Sequence, residues 1–119
     1  MQTSNYGESN LNFEDEKTPE IVELAKITSL LTKSQKEKIC SGCNVKNFEK
    51  LFKDQTMMGT VKCFLENGMN VAKTARAMYM HRNTLIYRLN AIRRQTGLDL
   101  KDFKMAVTFE ILHSLYAMK

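Results

Sequence analysis

Proline occurs once in this chain, at Pro19, and 100 residues follow it without another. Proline is the residue that most firmly breaks a helix, because it lacks an N–H and its ring meets the preceding turn. Across that uninterrupted stretch, apolar residues recur every three or four positions rather than every two. Val45, Phe48, Leu51 and Phe52 follow the pattern, as do Met57, Val61, Phe64 and Leu65, and then Leu85, Leu89 and Ile92. This is the period of helices with one buried stripe. No strand-like alternation, internal repeat or low-complexity tract competes with it. The expected fold class is all-α: one small helical domain, since 119 residues make a single core. No uncharged run exceeds eight residues (111–118), so no membrane span is expected. The N-terminus has neither a basic start nor an apolar core, so it is not read as a secretory signal, and a cytoplasmic location is expected.

Local signals divide the chain. Residues 1–17 are polar and acidic without periodicity and read as a disordered arm. Thr18-Pro19-Glu20 is a helix start, and the helix is expected to reach about Leu31. A short helix within 34–43 should stop near Gly42, another should occupy 44–54, and the next should stop at Asn67-Gly68. Asn70 then caps a helix over 71–78. A break at Tyr79-Met80-His81 leads to a helix over 82–96, stopped by Gly97. Asp99 is expected to cap a last helix from Leu100 to about Ala117. Residues 18–119 thus form the helical domain.

Charge is divided too. Residues 1–24 hold six acids and one base; residues 25–119 hold 17 bases and seven acids. Between 67 and 98 stand Lys73, Arg76, Arg82, Arg88, Arg93 and Arg94 with no acid among them. So long a stretch of one sign repels itself unless a polyanion neutralises it.

That same stretch has the layout of a helix-turn-helix, over 70–97. Two short helices cross steeply over a three- or four-residue turn. Ala75 is small enough for a close crossing, and Met78 and Met80 are apolar anchors beside it. Leu85, Leu89 and Ile92 form the narrow buried stripe of the second helix. At about 100° per residue, Asn83, Tyr87, Asn90 and Arg94 fall about 140–200° from Leu85. Thr84 lies on one flank and Arg82 projects at the N-terminal end. Arginine suits the two major-groove acceptors of guanine, asparagine suits adenine, and Thr or Tyr reaches phosphate or the thymine methyl. The candidate DNA-binding residues are therefore Lys73, Thr74, Arg82, Asn83, Thr84, Tyr87, Arg88, Asn90 and Arg94. Arg82, Asn83, Thr84 and Tyr87 would face the groove. Lys73, Arg76, Arg93 and Arg94 would meet phosphates, which position a protein without reading sequence. Arg88, about 60° from the buried stripe, suits a structural bond as well as a phosphate. Asn70 and Thr74 could reach a phosphate, with capping the simpler role for Asn70. His81 is read as the cap of the second helix.

The run NVAKTARAMYMHRNTLIYRLNAIRRQTGLDL resembles the C-terminal helix-turn-helix domain of PucR-type bacterial transcription regulators, which include purine-catabolism and sugar-diacid regulators. The resemblance rests on Ala75, His81-Arg82-Asn83-Thr84, Tyr87-Arg88-Leu89, Ile92 and Gly97-Leu98-Asp99-Leu100, with weaker similarity from about Leu51 onward. The unit is also similar to the Fis-type helix-turn-helix, which shares the Arg-x-Thr-Leu start. The resemblance implies sequence-specific double-stranded DNA binding at promoters. It also implies a large N-terminal regulatory region for which 119 residues leave no room, so the chain is expected to be an excised domain or a short relative. Tyr79 departs from the glycine common in such turns, and the turn is expected to avoid a positive φ there.

The last helix has two apolar stripes. Phe103, Val107, Ile111 and Leu115, widened by Ala106, form one; Met105, Phe109, Leu112 and Tyr116 form the other. A helix apolar on two sides has more to bury than one small domain covers. One stripe is expected to pack inward and the other to meet a second copy, as a homodimer, or a missing regulatory region. Cys40-Ser-Gly-Cys43 has the spacing of a metal or redox motif, but no further ligand pair or βαβ context accompanies it, so it reads as a turn with incidental thiols. No metal or cofactor is expected. Enzyme chemistry finds no support: the acids cluster in the arm, the two histidines lack a carboxylate partner in sequence, and no phosphate-cradling loop exists. RNA binding finds no aromatic stacking surface. The alternative to a DNA reader is a helical oligomerisation or protein-interaction module whose basic face meets an acidic protein.

Overall fold

A computed structural model describes residues 23–117. The arm expected over 1–17 and the helix start at Thr18-Pro19-Glu20 lie outside the described residues. Those described form seven helices and no strand: α1 (Leu24–Thr28), α2 (Lys33–Cys40), α3 (Val45–Phe52), α4 (Gln55–Glu66), α5 (Val71–Ala77), α6 (Arg82–Thr96) and α7 (Phe103–Ala117).

Most helices begin at a side chain that accepts from the first turn, where backbone N–H groups lack partners. Thr32 and Gln35 form a reciprocal capping box at α2, with bonds of 3.1 and 2.8 Å. Asn44 accepts from Asn47 N at α3, Asp54 from Met57 N at α4, and Asn70 from Lys73 N at α5. His81 Nδ1 accepts from Asn83 N at α6, 3.1 Å away.

The core joins α3, α4, α5 and α6. Phe48 and Leu51 of α3, Val61 and Phe64 of α4, Ala75 of α5, and Leu85, Leu89 and Ile92 of α6 are buried together with Leu100, Phe109 and Leu112. Each fully buried side chain of this size contributes about 1.5–3 kcal/mol of transfer free energy. Phe52 gathers the rings of Phe48, Phe109, His113 and Tyr116 at centroid distances of 4.9–5.8 Å, fastening α7 to α3. On its other side α7 packs against α1, where the Thr28 and Ser114 hydroxyls lie 2.9 Å apart.

Four local expectations are corrected. Helix α1 ends at Thr28, short of Leu31: Leu30 N and Leu31 N reach back only three residues, to Ile27 O and Thr28 O, and Thr32 is already extended as the cap of α2. Helix α7 begins at Phe103 rather than Leu100. Leu100 is drawn fully into the core, Asp99 heads a tight turn through Lys101 N, and Asp102 becomes the cap by accepting from Met105 N at 3.1 Å. The buried side of α7 is neither expected stripe but the seam between them: Ala106, Phe109, Leu112 and Leu115. Phe103, Met105 and Val107 are left exposed. Met78 is half-buried rather than a core anchor, whereas Met80 packs against the core.

Candidate nucleic-acid interface

One chain reversal leads into the helix-turn-helix and a second, with the same pair of closing hydrogen bonds, forms its turn. After α4, Gly68 N donates to Leu65 O and Met69 N to Phe64 O, with Gly68 at φ +68°. After α5, Tyr79 N donates to Arg76 O and Met80 N to Ala75 O. Both are Schellman endings, in which the residue after the helix turns left-handed. In the second that residue is Tyr79, at φ +52°. The expectation that this turn avoids a positive φ is therefore overturned. The two hydrogen bonds that close α5 and bury Ala75 fix the left-handed conformation whichever side chain stands there.

The turn delivers the chain to α6, whose inner face is buried at Leu85, Leu89 and Ile92. Arg88 ties the helix sideways to α4: its guanidinium donates to Thr60 Oγ1 at 2.9 Å, and Thr60 in turn donates to Thr56 O. At the far end, Gln95 Nε2 donates to Asn47 O of α3. Thus α6 is gripped from two directions, with its outward face left open. Gly97, at φ +83°, ends it.

On that face Arg82, Asn83, Thr84, Tyr87 and Arg94 are exposed, and Asn90 is half-buried. Tyr87 is 66% exposed, and the Arg94 guanidinium lies over its ring, 5.9 Å from the centroid. Asn90, Arg93 and Arg94 line a shallow depression of about 290 Å³ along the second half of the helix. Lys73 and Arg76 of α5 are exposed on the same unit. The N–H groups at the head of α6 are partly used internally: Asn83 N by the His81 ring and Thr84 N by the His81 carbonyl.

Two of the nine candidate residues stand apart from the open face. Thr74 is fully buried, and its hydroxyl is donated to Asn70 O at 2.7 Å, so it presents nothing to a phosphate. Arg88 takes the structural alternative that its angle allowed, through Thr60. One residue that the sequence reading did not count as a contact is conspicuous: Tyr79 is 98% exposed at the turn just before α6. Its signal was positional, two residues past the end of α5. The Tyr87–Arg94 contact could have been found from the seven-residue spacing, which returns a helix to nearly the same angle.

Among the described residues no cluster of His, Cys, Asp or Glu is arranged to hold a metal ion. No helix among them is long and apolar enough to cross a membrane.

Comparison with known proteins points the same way as the geometry. Residues 57–112, from α4 to the middle of α7, match the model of the PucR C-terminal helix-turn-helix domain. The chain is 35% identical over 79 residues to an uncharacterized protein of Bacillus subtilis, YxkF, covering 66% of this chain and 26% of that one. It is 41% identical over 54 residues to the purine catabolism regulatory protein of Bacillus subtilis, covering 45% of this chain and 10% of the relative. It is 43% identical over 44 residues to the carbohydrate diacid regulator of Escherichia coli, covering 37% and 11%. The chain thus spans between a tenth and about a quarter of the length of these relatives. No solved structure gives a significant match. The unit that presents the open face of α6 is thus similar to the PucR C-terminal helix-turn-helix domain, over a little under half of the chain.

Proposed function

We propose that the chain binds double-stranded DNA with sequence preference, as the DNA-binding part of a transcription regulator, with α6 in the major groove. One observation carries this reading. Helix α6 is buried along one side and open along the other, and from residue 67 to 98 there is no acidic side chain to repel a phosphate. Arg82, Asn83, Thr84 and Tyr87 stand in the half of α6 that leads into a groove in such folds. Asn90 and Arg94 continue the face toward its C-terminal end. Lys73, Arg76 and Arg93 flank it as phosphate partners. Arg88 acts in this reading by holding α6 on α4, and Thr74 is left out of the contact set.

A second part of the proposal concerns assembly. Leu30 is 84% exposed and Phe103 70% exposed, with Ile27 and Val107 also at the surface. These apolar groups on α1, the turn after it and α7 favour a homodimer, or a seat for the additional chain that the longer relatives carry. Two copies would set two α6 helices about one duplex turn (~34 Å) apart. A cytoplasmic site of action goes with this function.

The test is selection of bound sites from a pool of random duplexes, followed by titration of the selected site against salt. If about six phosphates are neutralised, log K against log salt falls with a slope near −5. An enriched sequence with that slope supports the reading. Binding without enrichment, or none at low salt, would instead favour an interaction module with a basic face.

A further inference from the structure

We infer that Cys40 and Cys43 form a modification site: a dithiol that a low-molecular-weight disulfide converts into an intrachain disulfide across the turn joining α2 to α3. Read from the sequence, the motif is only a turn with thiols in it. Structure adds three observations. Cys40 is the last residue of α2, and Cys43 N donates to its carbonyl at 3.1 Å, closing a four-residue turn. Such a turn brings the two Cα atoms within 7 Å, the range a disulfide spans at about 4.4–6.8 Å. Both cysteines are half-buried and line one cavity of about 650 Å³ between α2, α3 and the end of α7, so a small reagent can reach them. The third cysteine, Cys63, belongs to a different setting on α4, where Asn67 Nδ2 lies 3.3 Å from its sulfur.

The position also decides what kind of disulfide this would be. Cysteine pairs that exchange rapidly use a helix N-terminus to stabilise the thiolate. Here Cys40 is the last residue of α2, at its carbonyl end, and Cys43 stands one residue before Asn44, the cap of α3. Burial, and then the neighbouring Cys40 sulfur, push the Cys43 thiol up. A raised thiol is a slower leaving group, so a disulfide through Cys43 is slow to open. The bridge is therefore a tether and not an exchange catalyst. It would fasten α2, which buries no side chain of its own, to α3, whose Phe48 and Leu51 support α6.

With glutathione disulfide the reaction balances in two steps. One cysteine sulfur attacks a glutathione sulfur, forms a mixed disulfide and releases one glutathione thiol. The second cysteine then attacks the protein sulfur of that mixed disulfide and releases the other. The two cysteine protons end on the two glutathione thiols, and the two electrons lost by the protein reduce the reagent.

The experiment incubates the whole chain with reduced and oxidised glutathione in fixed ratios, natively and in urea, quenches with acid and measures mass. Trypsin releases residues 39–46 as one peptide carrying both cysteines. The expected product lacks two hydrogens, carries no glutathione and maps to that peptide. Cys63→Ser should still close, and Cys43→Ser should stop at a mixed disulfide on Cys40. The closure constant should be severalfold larger in the native chain than in urea. Single glutathione adducts without closure, closure that requires Cys63, or a constant no larger natively than in urea would overturn the inference.

Discussion

Tyr79→Gly should make the protein more stable although it deletes a large side chain. Tyr79 holds φ +52° at the left-handed position that ends α5, and its ring is 98% exposed, so there is almost no packing to lose. A left-handed backbone costs a residue with a Cβ about 1–2 kcal/mol. Glycine removes that cost, but its looser unfolded chain takes back about 0.4–1 kcal/mol. The expected net gain is about 0.5–1 kcal/mol, equivalent to about 2–8 °C in Tm for a domain of this size. Urea unfolding should show a higher midpoint with an unchanged m value, which separates a true stability gain from a change in compactness. Tyr79→Ala is the control. It removes the ring but keeps the Cβ, and should stay within about 0.5 kcal/mol of the parent, as exposed substitutions do. If Tyr79→Gly is no more stable than the parent, or if Tyr79→Ala gains as much, backbone strain is not what the position stores and the reasoning fails.

Other substitutions separate the roles within the helix-turn-helix. Lys73→Ala should weaken all duplexes alike and reduce the salt slope by about one, whereas Asn83→Ala should relax preference at one base position by about 1–3 kcal/mol, both read by fluorescence anisotropy on matched and mismatched sites. Arg88→Ala removes the bond to Thr60 Oγ1 and leaves that buried hydroxyl without its donor, so it should lower stability by about 1–2 kcal/mol in urea unfolding before any DNA is added. Because the Cys43 thiol is raised by burial, the native state holds that proton more tightly than the unfolded chain does. Its stabilising contribution is therefore complete below the ordinary thiol range and lost as pH climbs through the raised value. Alkylation of Cys43 by iodoacetamide should accordingly be slower natively than in urea at neutral pH, and comparable rates would contradict this.

The parts of the fold that were legible from sequence are those written in local chemistry. The α6 stripe of Leu85, Leu89 and Ile92 and the caps Asn70 and His81 each depend on residues within one or two turns, and all are found where spacing places them. What escaped depends on distance or on competition between equals. Asp99 and Asp102 are both good caps, and the choice was made by Leu100, whose burial only the assembled core determines. Thr74 and Thr84 look alike on paper, yet one hydroxyl satisfies itself on the carbonyl four residues back inside the fold. The partner of Arg88 is 28 positions away, beyond the reach of any helical wheel. On α7 both apolar stripes were visible, but the seam between them packs, because α1 and the Phe52 ring cluster approach from opposite sides.

The position of the Arg94 guanidinium over the Tyr87 ring has a thermodynamic consequence for α6. Arginine ordinarily enters a complex from many rotamers, and arresting such a side chain costs about 0.5–1.5 kcal/mol. A guanidinium already held over a neighbouring ring has surrendered part of that freedom in the unbound molecule. The helix therefore presents this charge from a narrower set of positions before it meets anything. Replacing Tyr87 would therefore be felt twice, once through the lost phenol and again through an arginine returned to wandering.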